Sequence, residues 1–99
     1  MAKVEKKLKE NLKEALDRAV EEKGLDLEVY PEIEVEIPRE KEHGDYATNL
    51  AMVLASNFKT SPREVADILV ENFSSDLVED IEIAGPGFIN FTLDNSWLY

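Results

Sequence analysis

The chain has 99 residues, no cysteine and a formal net charge of −11 at pH 7, which predicts one domain, residues 1–99, without disulfides or thiolate metal sites. The acidic balance argues against a nonspecific grip on a phosphate backbone, and hence against a DNA partner. Since no stretch reaches the roughly 18 apolar residues of a membrane helix and the N-terminus lacks a secretory signal, we expect a cytoplasmic protein without a membrane partner.

Residues 3–23 carry apolar side chains at helical spacing, which predicts an amphipathic helix with one buried stripe. Gly24 follows as a residue that readily takes positive φ after a helix. Residues 1–24 have a net charge of +1, whereas residues 25–99 have −12. The lysines of the first half either pair with acidic neighbours on a solvated face or form a weak phosphate-facing patch. They are Lys3, Lys6, Lys7, Lys9 and Lys13.

Residues 32–37 alternate strictly between glutamate and an aliphatic residue, which predicts a half-buried strand of an antiparallel sheet. The side chains expected to face the core are Ile33, Val35 and Ile37. The outward set is Glu32, Glu34 and Glu36. Their carboxylates are spaced about 7 Å apart along a strand with no other ligand type nearby, so we expect a solubilising face and no metal site.

A charged loop over residues 38–46 contains Gly44 and the lone histidine of the chain, His43. No serine, cysteine or second histidine is placed to work with His43, so no catalytic residue is predicted. A short returning strand through residues 45–47 is expected next, and Thr48 or Asn49 then caps a second helix. Its apolar stripe is Ala47, Leu50, Ala51, Leu54, Ala55 and Phe58.

The start of a third helix is marked by Ser61-Pro62-Arg63-Glu64. This run combines an N-cap serine, proline at the first helical position and glutamate three residues after the cap. The buried stripe of this helix is predicted to be Val65, Ile68, Leu69 and Phe73. Residues 81–84 alternate and predict a further strand.

A Gly85-Pro86-Gly87 turn leads directly into a strand over residues 88–93. Alternation predicts that Ile89, Phe91 and Leu93 point to the core and that the other side chains lie on the solvent-exposed face of the sheet. These are Phe88, Asn90 and Thr92. An exposed ring with an amide two residues away suits stacking on one unpaired base and reading its edge. The alternative is that Phe88 packs under a neighbouring element and Asn90 is an ordinary polar strand residue.

The order of elements predicts a two-layer α+β domain with helices over one face of a small antiparallel sheet. After the last strand, Asp94-Asn95-Ser96 is typical of another helix cap, and Trp97-Leu98-Tyr99 begins an apolar helix. We therefore expect that the chain is cut from a longer polypeptide.

Three motifs resemble the N-terminal additional domain of arginyl-tRNA synthetases. They lie at residues 43–52 (HGDYATNLAM), 62–66 (PREVA) and 83–91 (IAGPGFINF), and the resemblance covers essentially the whole chain. It implies an α-β-β-α-β-β domain. In that family the enzyme joins arginine to its tRNA with ATP and magnesium, and the additional domain contacts an unpaired D-loop base at the outer corner of the tRNA.

The resemblance implies that Phe88 and Asn90 contact the tRNA, that Gly85 and Gly87 let the backbone approach the nucleotide, and that Tyr46 borders the RNA surface. The implied partners are arginine tRNA and the catalytic domain of the same polypeptide. Motifs similar to His-Ile-Gly-His and Lys-Met-Ser-Lys-Ser do not occur in these 99 residues. We therefore expect no catalysis and no cofactor in this chain, with ATP and magnesium used only by the full-length enzyme.

Two other functions stay open at this point. A free-standing acidic protein-interaction module could share the fold and dock a basic partner through its exposed aromatic residue. A small metal- or carboxylate-dependent hydrolase has only the glutamate row at residues 32–36 in its favour.

Overall fold

The computed structural model describes residues 2–94 and residue 96. The predicted tail helix at Trp97-Leu98-Tyr99 and its cap residue Asn95 lie outside the described residues. The regular elements, besides a 3₁₀ turn at Lys41–His43, are α1 (Ala2–Lys23), β1 (Tyr46–Thr48), α2 (Leu50–Phe58), α3 (Pro62–Glu71), β2 (Val78–Ala84) and β3 (Phe88–Leu93).

The three strands form one antiparallel sheet in the order β1-β3-β2, with β3 in the centre. Three helices pack on this sheet, so the predicted two-layer α+β architecture is confirmed. The register pairs Asn90 with Ala47 on one side and with Glu82 on the other. The side chains of directly paired residues project from the same face of a sheet.

The hydrophobic core lies between the helices and the inner face of the sheet. Alternation along β3 was predicted correctly, because Ile89, Phe91 and Leu93 are 1%, 1% and 4% exposed. The ring of Phe91 lies 5.2 Å from that of Phe73, measured between centroids. The predicted stripe of α1 is buried against the same cluster. Its members are Val4, Leu8, Leu12, Ala15, Leu16, Ala19 and Val20.

The C-terminus of α1 and the N-terminus of α3 follow the local rules that the sequence indicated, whereas Asn49 before α2 makes no side-chain capping hydrogen bond. The backbone N–H of Glu64 donates to the Ser61 hydroxyl at 3.2 Å, with Pro62 in the first turn of α3. Gly24 follows α1 with φ +65°. The second helix differs from its prediction at one residue: Ala47 belongs to β1, and α2 begins three residues later at Leu50.

The predicted strand over residues 32–37 is wrong. This segment makes one isolated antiparallel bridge, between Glu36 and Ala47, with both N–H···O distances at 2.8 Å. Ile33 and Val35 pack against the core as expected, but Ile37 is 69% exposed. The reason is the length of the partner: β1 has only three residues before α2 begins, and Pro38 has no N–H to extend the ladder.

Candidate functional site

A hollow of about 320 Å³ opens on the outer face of the sheet, opposite the core. Its residues come from three places: the segment before β1, β1 itself, and the β2–β3 turn with its flanking strands. They are Glu36, Pro38, His43, Ala47, Ala84, Gly85, Pro86, Phe88 and Asn90. The sheet register explains the base of the hollow, because Glu36, Ala47 and Asn90 lie in one row across three neighbouring segments. The small side chain of Ala47 leaves space between the other two.

Asn90 is less exposed than the sequence predicted. Its side chain is on the expected face, but the residue is only 6% exposed. The physical reason is that β3 is the central strand, so neighbours on both sides shield its residues. No hydrogen bond joins the Asn90 carboxamide to any other residue in the described part of the chain. Its donor and acceptor are therefore available to a group that enters the hollow.

Phe88 lines the same hollow and is half-buried. Its ring lies beside Gly85: a Cβ placed on that glycine would be 3.7 Å from Cδ2 of Phe88. The structure therefore brings together the ring and the amide that alternation assigned to one face, with both forming part of one concave surface.

The turn at residues 85–87, which precedes Phe88, is contacted by the first turn of α3. Arg63 Nη1 donates a hydrogen bond of 2.6 Å to the Gly85 carbonyl oxygen. A Cβ on Gly87 would lie 2.8 Å from Cβ of Pro62, so only glycine permits this approach. Gly85 and Gly87 also have φ values of +56° and +140°. No local sequence pattern predicts this role of Arg63, because its partner lies 22 residues away in the chain.

Another set of contacts fixes the loop that carries His43. Gly44 has φ +88°, and a Cβ there would lie 2.7 Å from the Phe91 carbonyl oxygen. The Asp45 N–H donates to that same oxygen at 2.7 Å, and Asp45 Oδ2 accepts from the Leu93 N–H at 2.8 Å. These hydrogen bonds and the close backbone contact attach residues 43–45 to β3. His43 consequently lies in the lining of the hollow.

Tyr46, which was expected to border the RNA surface, is not part of the lining of the hollow. It pairs with Phe91 and is 6% exposed within the core cluster. Burial raises the pKa of the Tyr46 hydroxyl above 10.0, and the negative charges of Glu5 and Asp45 act in the same direction. Alternation along β1 places Ala47, and not Tyr46, on the face of the hollow.

The acidic residues and the histidine of the described part of the chain do not form a metal site that a second observation supports. Within residues 2–94, the predicted outward glutamates at 32, 34 and 36 form no cluster of ligand atoms. Glu40, Glu42 and His43 do place ligand atoms within 4.8 Å of one another, but all three are exposed. On α1, Lys13 pairs with Asp17 at 3.4 Å and lies 5.3 Å from the Tyr30 ring, as expected for a solvated face.

Comparison with known proteins identifies the family. Residues 6–93 match the family model described as the arginyl tRNA synthetase N terminal domain. The chain belongs to this family. The resemblance of residues 43–52, 62–66 and 83–91 to arginyl-tRNA synthetases is therefore confirmed.

Relatives of this family domain are arginine–tRNA ligases. The chain is 49% identical to the enzyme of Listeria monocytogenes serotype 4b over 94 residues, which cover 93% of the chain and 16% of the enzyme. It is 51% identical to the enzyme of Geobacillus thermodenitrificans over 94 residues, covering 92% and 17% respectively. The chain thus spans about a sixth of the length of these ligases.

Two solved arginyl-tRNA synthetases share the fold of this N-terminal domain. The Thermus thermophilus enzyme matches with a TM-score of 0.65 and 27% identity, over 92% of this chain and 15% of that one. The Plasmodium falciparum enzyme matches with a TM-score of 0.79, over 96% and 17%, and its 15% identity supports the fold alone. Among the described residues of the domain, no helix is both long and apolar enough to cross a bilayer.

Proposed function

We propose that this chain is the tRNA-contacting domain of an arginyl-tRNA synthetase, and that its hollow binds one unpaired D-loop base of arginine tRNA. The observation that carries the proposal is the carboxamide of Asn90, a residue that lines an open hollow and whose side chain lacks a hydrogen-bond partner among the described residues. Neither polar atom of this carboxamide is sealed from solvent, so a ligand that enters the hollow can reach both. An incoming base edge offers both a donor and an acceptor to such an amide.

The charges around the hollow favour a base over a phosphate as the bound group. Glu82 is the direct cross-strand neighbour of Asn90, and Glu36 lies in the same row beyond Ala47. Both carboxylates repel a phosphate, whereas a neutral base edge can donate to them. The volume of about 320 Å³ is at the lower end of the range for small-ligand pockets, which suits a single base.

The Phe88 ring supplies the face on which this base stacks. Stacking of one base on an aromatic side chain contributes about 1–3 kcal/mol, which tunes the affinity for a tRNA but does not hold one alone. The rest of the binding surface and the chemistry of ligation, with arginine, ATP and magnesium, then belong to the remainder of the polypeptide. Reading the gene beyond Tyr99 tests this, because the proposal requires a continuous frame into a catalytic domain.

The test uses the full-length synthetase that contains this domain and a transcript of arginine tRNA. Phe88→Ala is expected to raise the tRNA dissociation constant by about 5- to 150-fold, the equivalent of one lost stack. The arginine dissociation constant should stay unchanged. Thr92→Ala is the matched control, because Thr92 lies on the same face of β3 but not in the lining of the hollow.

A second measurement locates the contact on this chain. Amide NMR of the labelled 99-residue chain, titrated with the same transcript, should show shifts concentrated at residues 85–92. Wild-type tRNA affinity for Phe88→Ala, or shifts confined to the lysine-rich half of α1, would contradict the proposal.

A further inference from the structure

We propose that His43 is a second RNA-contacting residue and that its imidazole stacks on the base in the hollow. The inference rests on the proposed function and adds a second aromatic group to the site. Its starting point is the placement of His43 in the lining together with Phe88 and Asn90. Imidazole rings stack on unpaired bases as phenyl and indole rings do.

The loop that carries His43 is built to stay in this position. Gly44 packs its backbone directly on β3, where a Cβ would lie 2.7 Å from the Phe91 carbonyl oxygen. Asp45 is bonded to β3 through both its N–H and its carboxylate. Lys41 also approaches Asp45, at 3.7 Å. A side chain on such a loop meets a ligand without having to order the backbone first, which lowers the entropy cost of binding.

The His43 imidazole makes no intramolecular contact in the described residues that would explain its position as a structural one. His43 is exposed, and its ring makes no hydrogen bond to another residue within the described ranges. No serine, threonine or second histidine is in the lining of the hollow for it to activate. A ring that is exposed, carried on a tethered loop and part of the same lining as Asn90 is therefore available to a ligand in the hollow.

Carboxylates surround His43 from two elements. Glu40 and Glu42 on its own loop each place a carboxylate oxygen within 4.8 Å of one imidazole nitrogen, and Glu36 lines the hollow from the neighbouring segment. They make the surroundings of the ring unfavourable for a phosphate. Contact with the neutral face of a base is consistent with these charges, whereas an ion pair with the RNA backbone is not.

The experiment separates the ring from its charge and hydrogen bonds. In the full-length synthetase, His43→Ala should raise the dissociation constant for the arginine tRNA transcript by about 5- to 150-fold, while His43→Phe should stay within about twofold of wild type because the aromatic face is kept. Glu42→Ala is the control, because Glu42 is on the same 3₁₀ turn but outside the lining. Thermal unfolding of all three variants should match the wild type.

A direct signature comes from the imidazole protons of His43. In the 99-residue chain they should shift upfield when the transcript is added, because a stacked base shields them, and Phe88→Ala should reduce that shift. If His43→Ala binds the transcript with wild-type affinity while Phe88→Ala binds it more weakly, this inference is overturned and the proposed function stands. Equal losses in His43→Ala and His43→Phe would overturn stacking, and wild-type affinity in both Phe88→Ala and His43→Ala would overturn both proposals.

Discussion

Arg63 and Gly85 are joined by a hydrogen bond of 2.6 Å although 22 residues separate them in the chain. The bond ties the first turn of α3 to the turn that precedes Phe88, so one helix terminus sets the position of one side of the hollow. The cap at Ser61 and the close approach of Pro62 to Gly87 support the same junction. A surface arginine thus contacts the turn that lines the site while remaining outside the lining itself.

Arg63→Ala is expected to loosen the turn. A hydrogen bond from a charged donor on an exposed surface stabilises by about 1 kcal/mol, so the free energy of unfolding should fall by about that amount. Amide exchange at Gly87, whose N–H donates to the Ala84 carbonyl oxygen at 3.3 Å, should accelerate. Arg39→Ala is the control, because Arg39 is also exposed and makes no hydrogen bond within the described residues. Equal exchange at Gly87 in both variants would show that Arg63 does not hold the turn.

Gly44→Ala should destabilise the domain far more than Gly24→Ala. Both glycines have positive φ, but Gly44, at φ +88° and ψ −168°, lies in a region essentially restricted to glycine, whereas alanine at the φ of +65° of Gly24 incurs about 1–2 kcal/mol. Only at Gly44 would the new Cβ also meet backbone, 2.7 Å from the Phe91 carbonyl oxygen, whereas Gly24 has nothing within 4 Å. We expect a loss of about 3 kcal/mol or more at Gly44 and about 1 kcal/mol at Gly24. Urea denaturation measures both, and similar values would contradict the tight contact.

Thr48→Val should release the segment that runs beside β1. The Thr48 hydroxyl donates to the Glu34 carbonyl oxygen at 2.7 Å and accepts from the Leu50 N–H at 3.3 Å, and the residue is 1% exposed. Valine keeps the shape but leaves both partners without that oxygen, which should cost about 1–3 kcal/mol. Amide exchange at Glu36 should rise. Thr60→Val, at a half-buried threonine whose hydroxyl makes no hydrogen bond to any described residue, should leave that exchange rate unchanged.

Tyr46→Phe should remove part of the stability loss in alkaline solution. Because burial raises the pKa of Tyr46 above 10.0 in the folded state, the unfolded chain releases this proton first as the pH rises. The folded state then binds more protons, so stability is fully present below pH 10 and falls as the pH rises through and above that value. Urea midpoints measured from pH 9 to 11 should fall less steeply in Tyr46→Phe. The exposed Tyr30 offers a control in Tyr30→Phe, and an unchanged slope in Tyr46→Phe would contradict the assignment.

Local patterns predicted the elements whose formation depends on neighbours in the chain. The helical spacing of α1, the Ser61 cap of α3 and the alternation of β3 act within a few residues, and each of these elements has the bounds or faces that its pattern indicated. The segment 32–37 has an equally clear alternation but forms one bridge, because strand formation also requires a partner of sufficient length.

The features of the candidate site also fall into those that local patterns predict and those that depend on tertiary contacts. The sequence was enough to place Phe88 and Asn90 on one face of a strand, because that follows from the two-residue period of β-structure. Only the tertiary structure decided that this strand is central, that Asn90 is consequently shielded, that Tyr46 faces the core, and that Arg63 and His43 reach the turn and the hollow. Those outcomes depend on strand order and on contacts between distant segments, which no local pattern of side chains encodes.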